Sequence, residues 1–269
     1  MNKIHQKEVK ILTLLLFLIT ALLTGAAKGE SQEYFPMRWE NPLPFTAYIP
    51  SGITEGEPLP VLYLLHGQSQ DENLWEDMGI FHKLNDLLAS GRIAPMIVVC
   101  PREANYLQDM SESLFPGKLM EELIPLIEKV FPAGITRTDR GIGGISRGAV
   151  WAQMLAFRHY EMFGVLGLHS LPNPYFSYPT SYRLWQNNKE LPFTRIRMDI
   201  GIEDPYVSGA SEFSRQLTQM RFPHIFVLDE GKHDITYWRK HLQDYLIWYS
   251  DQFSIDSNSP APSAAAALR

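Results

Sequence analysis

The sequence predicts an α/β fold with a mostly parallel central sheet and helices on both faces. Two patterns carry that expectation. Short runs rich in β-branched and apolar residues alternate along the chain with longer stretches of helical periodicity. Several of the short runs are apolar nearly throughout, as strands covered on both sides must be. With 269 residues, 45% of them hydrophobic, the chain can bury one large core, and one main domain is the expected count.

The chain opens with Lys3, Lys7 and Lys10 ahead of an apolar run from Ile11 to Leu23, closed by Thr24-Gly25-Ala26-Ala27. That order of charge, apolar core and small residues marks residues 1–27 as a signal peptide. The run is shorter than the ~20 residues a membrane span needs, so cleavage is expected over an uncleaved anchor. A membrane is a partner only in the second case. No cysteine follows the run to carry a lipid, and the expected location is secreted, periplasmic or cell envelope.

Residues 28–253 hold the expected catalytic domain. Its strand candidates are Pro44–Ile49, Val61–Leu65, Met96–Cys100, Gly141–Ile145, Gly164–His169, Ile196–Gly201 and His224–Asp229. Between them Ile80–Ala89, Lys118–Val130, Ala149–His159, Ser211–Met220 and Thr236–Phe253 read as helices. In the second of these Leu119, Leu123, Ile127 and Val130 form one apolar stripe. Ser170–Leu191, rich in Pro, Tyr, Asn and Ser, reads as an irregular excursion long enough to shape a pocket rim. Residues 254–269 turn to Ser, Asn, Pro and Ala and read as a flexible tail.

The formal net charge is −6 and no basic cluster exceeds Arg239-Lys240, which excludes nucleic acid as an expected partner. Cys100 is the only cysteine, so no internal disulfide can form. Closing the apolar run Met96–Cys100, it reads as an inert core residue.

The strongest chemical signal is Gly144-Ile145-Ser146-Arg147-Gly148, which follows a strand candidate and opens a helix candidate. A serine placed on such a strand-to-helix turn is an exposed nucleophile, and close passage of neighbouring chain demands glycine on either side. No Gly-Lys-Ser/Thr follows, and no dinucleotide fingerprint is completed. Serine needs a base, and with this elbow the chain order is nucleophile, acid, histidine. His233 lies in the loop between the last strand and last helix candidates. His224 starts a strand at the wrong end of a parallel sheet, and His241 falls inside a helix. For the acid, Asp199, Glu203 and Asp204 are all available, and Asp204 falls just beyond its strand, where active-site loops gather. Asp199 reads as a loop support. An oxyanion hole needs two backbone N–H groups, expected from Arg147 and from Gln68 after His66-Gly67. The His66 side chain reads as a loop support rather than a second base.

Tyr63-Leu64-Leu65-His66-Gly67, Gly143 to Gly148, Phe163-Gly164 with His169-Ser170, Asp199-Ile200-Gly201 with Asp204, and Gly231-Lys232-His233-Asp234 with Tyr237-Trp238-Arg239 together resemble the putative-esterase family of α/β hydrolases. That family includes feruloyl and acetyl-xylan esterases, S-formylglutathione hydrolases, enterochelin esterases and mycolyltransferases. The resemblance runs from about Phe45 to Phe253. It implies the α/β-hydrolase fold and a serine carboxylic-ester hydrolase, with Ser146, Asp204 and His233 in the triad positions and Gln68 and Arg147 in the oxyanion positions. Where such proteins often carry a second glycine after the elbow, this chain has Ala149, small enough to leave the site intact.

The expected reaction is attack by Ser146 on an ester carbonyl, an acyl-enzyme and release by water, without metal or organic cofactor. The substrate would be a small-molecule or carbohydrate-linked ester. Acyl transfer to an alcohol with the same triad, or a binding protein on the same fold, are the alternatives. Tyr175, Phe176, Tyr178, Tyr182 and Trp185, with Trp75 and Tyr106, either line an aromatic-accepting pocket or pack the loop. The Arg147 side chain either meets an acidic substrate group or is solvated. Protein from the native host is expected to begin near Lys28 on amino-terminal sequencing; an intact Met1 in the soluble cytosol would overturn export.

Overall fold

A computed structural model of the protein describes residues 37–51, 58–172 and 194–254. The expectations for residues 1–27, for the tail beyond 254 and for most of the excursion lie outside them. Eight strands form one sheet: β1 (Met37–Trp39), β2 (Phe45–Tyr48), β3 (Val61–Leu65), β4 (Ile97–Pro101), β5 (Arg140–Ile145), β6 (Val165–His169), β7 (Arg195–Gly201) and β8 (His224–Asp229). Their spatial order is β1-β2-β4-β3-β5-β6-β7-β8. Only the β1/β2 and β2/β4 pairs are antiparallel. From β4 to β8 every neighbour is parallel.

All seven expected strands are present, and β1 precedes them. Its three residues are too few for any period to show. The sheet is mostly parallel for the reason its sequence announced. In β3, β4 and β6 every residue is buried, which only helices on both faces can achieve.

The helices are α1 (Leu74–Asp77), α2 (Ile80–Ala89), α3 (Phe115–Gly117), α4 (Ile124–Val130), α5 (Arg147–Arg158), α6 (Val207–Gln219) and α7 (Ile235–Phe253). One face of the sheet carries α3 to α6, with Leu119, Ile127, Trp151, Leu155, Phe213 and Leu217 in its core. The other carries α1, α2 and α7, with Trp75, Phe81, Leu84, Trp238, Leu246 and Tyr249. Cys100, in β4 between β2 and β3, is buried in this second core, and burial pushes its thiol well above the ordinary range.

The helix expected over Lys118–Val130 is divided. Lys118–Leu123 is wound as a π-helix, and α4 begins with Pro125 in its first turn. Proline has no N–H to give the carbonyl four residues back, so the regular ladder cannot run through it. The apolar stripe survives, with Leu119, Leu123 and Ile127 fully buried.

The parallel strands deliver their carboxyl ends to one edge, and the loops after β3, β4, β5, β6, β7 and β8 gather there. The loops after β7 and β8 touch backbone to backbone. A Cβ added at Gly201 would lie 2.2 Å from the Gly231 carbonyl oxygen. Ile202 N–H also donates to Asp229 O at 2.9 Å, and Glu203 N–H to Gly231 O at 3.0 Å. Gly201→Ala must therefore force these loops apart, and is expected to cost about 1–3 kcal/mol, the usual range for overpacking. A thermal midpoint equal to wild type would show that the contact yields freely.

Candidate active site

Ser146 stands between β5 and α5 at φ 52°, ψ −122°, a conformation an L-residue adopts only when its surroundings enforce it. The enforcing contacts are backbone ones. A Cβ at Gly144 would lie 2.6 Å from the Gly148 carbonyl carbon, and one at Gly148 would lie 2.4 Å from Leu65 O and 2.5 Å from His66 O. The Ser146 N–H donates to His169 O at 3.0 Å, tying the turn to the end of β6. Because α5 starts at Arg147, two residues earlier than its sequence pattern suggests, Arg147 occupies the first helical position.

The structure brings Ser146, His233 and Asp204 into one hydrogen-bonded line. His233 Nε2 is 2.8 Å from Ser146 Oγ, and His233 Nδ1 is 2.7 Å from Asp204 Oδ2. With a carboxylate on Nδ1, the proton belongs there, and Nε2 is free to accept from the serine hydroxyl. Asp204 is buried and its other oxygen accepts from Tyr206 N–H at 2.9 Å, so the carboxylate has one orientation. The His233 ring is flanked edge-on by Tyr206 at 5.0 Å and Trp238 at 5.3 Å. Immediately after it, Asp234 caps α7 by accepting from the N–H groups of Thr236 and Tyr237.

The other two carboxylates lie elsewhere. Glu203 is exposed, 3.8 Å from Lys232 Nζ. Asp199 is buried within β7 and does more than support a loop. In strand register it faces His169 of β6, and its Oδ1 accepts from His169 Nδ1 at 2.5 Å. Its Oδ2 accepts from Tyr245 at 2.7 Å and Tyr237 at 3.3 Å, while Tyr249 bonds His169 Nε2 at 3.0 Å. Burial raises the Asp199 carboxyl, but His169, Tyr245 and Arg197 outweigh it and hold the group below the usual carboxylate range. This second histidine–aspartate pair escaped the sequence reading. The available signal was His169 closing the otherwise apolar β6 and, in the neighbouring strand candidate, Asp199 set between the apolar Met198 and Ile200.

Around the serine, a Cβ at Gly67 would lie 3.4 Å from Ser146 Cβ, so the loop carrying Gln68 runs beside Ser146. Arg147 opens α5, where the first N–H groups have no intrahelical acceptor. Its side chain follows neither expected course. It is paired in two-pronged fashion with buried Glu103, at 2.8 and 2.7 Å, and lies 5.8 Å over the Trp151 ring. Trp75 is packed in the core between the sheet and the layer of α1, α2 and α7. Tyr106, with Ala104, Asn105, Leu107 and Gln108, lines an open cleft of about 600 Å³. Tyr175, Phe176, Tyr178, Tyr182 and Trp185 lie outside the described residues.

A profile of the family described as "Putative esterase" matches residues 38–249. An endo-1,4-beta-xylanase/feruloyl esterase of Xylanibacter ruminicola is 33% identical over 135 residues, 46% of this chain. The match spans 19% of that much longer protein. Among solved structures, a ferulic acid esterase superposes with a TM-score of 0.73 at 22% identity, covering 84% of this chain and all of its own. An S-formylglutathione hydrolase from Staphylococcus aureus gives 0.66 at 18% identity, covering 82% of this chain and all of its own. At those identities the two structures speak for the fold, which is that of the α/β hydrolases.

The Asp199 network makes a prediction separable from chemistry at Ser146. Asp199→Asn is expected to lose about 2–3 kcal/mol of stability, because it replaces charge-assisted bonds with neutral ones. A carboxyl held low when folded stabilises above its unfolded pKa of about 4 and stops doing so as pH falls through its folded value. The gap between wild type and variant, measured by urea unfolding, should therefore be full at pH 6 and narrow below pH 4. A gap that widens on acidification would reverse the sign assigned to Asp199.

Proposed function

Starting from the fact that the chain belongs to the esterase family of α/β hydrolases, we propose that it is a serine carboxylic-ester hydrolase working through an acyl-enzyme. The observation that carries the reading is the line Ser146 Oγ, His233 Nε2, His233 Nδ1, Asp204 Oδ2, closed at 2.8 and 2.7 Å. Distances of this length are what proton transfer from the serine requires.

Ser146 Oγ attacks the ester carbonyl carbon as His233 Nε2 takes its proton. The carbonyl oxygen becomes an oxyanion facing the N–H groups of Gln68 and Arg147. Asp204 holds the imidazole and favours the imidazolium without taking the proton. His233 then protonates the departing alkoxide, and the C–O bond breaks to leave an acyl-serine. Water, deprotonated by His233, attacks the acyl carbon, and Ser146 recovers its proton as the acid leaves. Among the described residues no group of histidine, cysteine and carboxylate side chains is arranged to hold a metal ion.

The substrate we propose is an extracytoplasmic acyl or aryl ester, of the feruloyl- or acetyl-carbohydrate type. Its support is the name of the Xylanibacter relative, the amino-terminal export pattern and the open cleft with Tyr106 on its wall.

Ser146→Ala is expected to lower kcat by on the order of 10⁶ with the fold retained. Asp204→Asn should lower it by about 10⁴ through loss of the oriented tautomer, while Glu203→Gln changes little. The assay is hydrolysis of p-nitrophenyl acetate, with stoichiometric organophosphate labelling located by mass spectrometry. Label on another residue, or a Ser146→Ala enzyme within tenfold of wild type, removes Ser146 from the mechanism. A steep loss in Glu203→Gln beside a mild one in Asp204→Asn reassigns the acid.

A further inference from the structure

In the loop after β3, side-chain hydrogen bonds hold two consecutive peptide units. His66 is buried and its two ring nitrogens are both engaged. Nδ1 lies 2.8 Å from Gly67 O, and Nε2 lies 2.8 Å from the backbone nitrogen of Glu103. A backbone N–H can only donate, so Nε2 is the acceptor, and the neutral ring must carry its proton on Nδ1. Burial keeps the imidazole on the neutral side, with its pKa below the ordinary histidine range. The tautomer chosen by Glu103 is thus the one that donates to the Gly67 carbonyl.

That carbonyl belongs to the same planar unit as the Gln68 N–H. In a trans peptide C=O and N–H point in opposite directions, so fixing the oxygen fixes where the N–H is aimed. The preceding peptide is held as well, by Gly67 N–H donating to Gln70 Oε1 at 2.9 Å. The backbone behind His66 cannot retreat, since its carbonyl is pressed against Gly148 at the start of α5. Glu103 completes the arrangement. Its backbone orients His66, and its carboxylate grips the side chain of Arg147, whose own N–H is the other proposed donor.

We propose that His66, oriented by Glu103 and assisted by Gln70, is a positioning residue that aims the Gln68 N–H at the oxyanion formed on the Ser146 adduct. The assignment rests on the serine-esterase reading above. It gives the side chain a kinetic role that loop support alone does not have. The Gln68 N–H matters only when the carbonyl oxygen gains charge, so its aim affects the transition state and leaves ester binding alone.

The test compares wild type, His66→Phe and His66→Asn, whose amide keeps a donor near the position of Nδ1. Readouts are p-nitrophenyl acetate kinetics, the Kd of phenylboronic acid as a tetrahedral adduct, and the thermal midpoint. In His66→Phe, kcat and kcat/KM should fall together by about 10- to 100-fold, less than the 10²–10³ lost when such a donor is deleted. KM should stay within about twofold, and boronic acid affinity should weaken by the same factor as kcat. His66→Asn should recover most of both. If His66→Phe does not fold, Gln70→Met carries the same expectation. Unchanged kcat in the variant measured overturns the proposal. So does a loss in which boronic acid affinity is untouched, or in which His66→Asn is no better than His66→Phe, since both mark a purely structural residue. Failure of the underlying reading looks different: Ser146→Ala itself stays active.

Discussion

At the end of β5 the chain reverses within one residue, and the helix that follows is pressed so hard on the end of β3 that Gly148 has no room for a methyl group against the Leu65 and His66 carbonyls. This backbone contact sets the place of everything around the serine. It holds Ser146 at positive φ with its hydroxyl at the sheet's carboxyl edge. It lets α5 begin at Arg147, leaving that residue's N–H without an intrahelical partner. It also immobilises the backbone from which His66 reaches forward. A looser approach of helix to strand would let the turn relax into an ordinary conformation, and the serine would sink toward the helix axis. The local strain persists because the core on both faces of the sheet, rather than the turn itself, determines where β3, β5 and α5 lie.

A second backbone contact does the same for His233. Gly201 and Gly231 touch, so the loop bearing Asp204 and the loop bearing His233 share one fixed separation. The carboxylate is buried and bonded to Tyr206 N–H, and the imidazole is wedged between Tyr206 and Trp238. Neither side chain needs to search for the other. In the proposed reaction, preorganisation of this kind removes the ordering entropy that would otherwise be lost.

The strands, most of the helices and the three hydrogen-bonded residues Ser146, His233 and Asp204 were legible from one dimension because they rest on local rules. Apolar runs of five residues gave β3 and β4, and small residues around Ser146 gave the elbow. Chain order singled out His233 and, beside Glu203, Asp204. What was not legible depends on distant side chains meeting. Nothing near Arg147 says that Glu103, 44 positions earlier, will take its guanidinium. Likewise His169 and Asp199 come into register only once β6 and β7 pair. Pro125 is the opposite kind of case: its signal is local, in the sequence itself, while the apolar stripe that predicts one helix remains intact through the change of winding.

The position of the lone cysteine has a consequence of its own. Cys100 lies in β4 with β2 on one side and β3 on the other, and its sulfur is sealed from solvent. Its side chain lies in the core covered by α1, α2 and α7, so a thiol reagent can reach it only after that layer has opened. Its rate of modification in native buffer therefore reports the frequency of that opening event, with no introduced probe and no competing thiol in the chain. When opening and closing are fast beside the chemistry, the rate measures the free energy of opening; at high reagent concentration it approaches the opening rate itself.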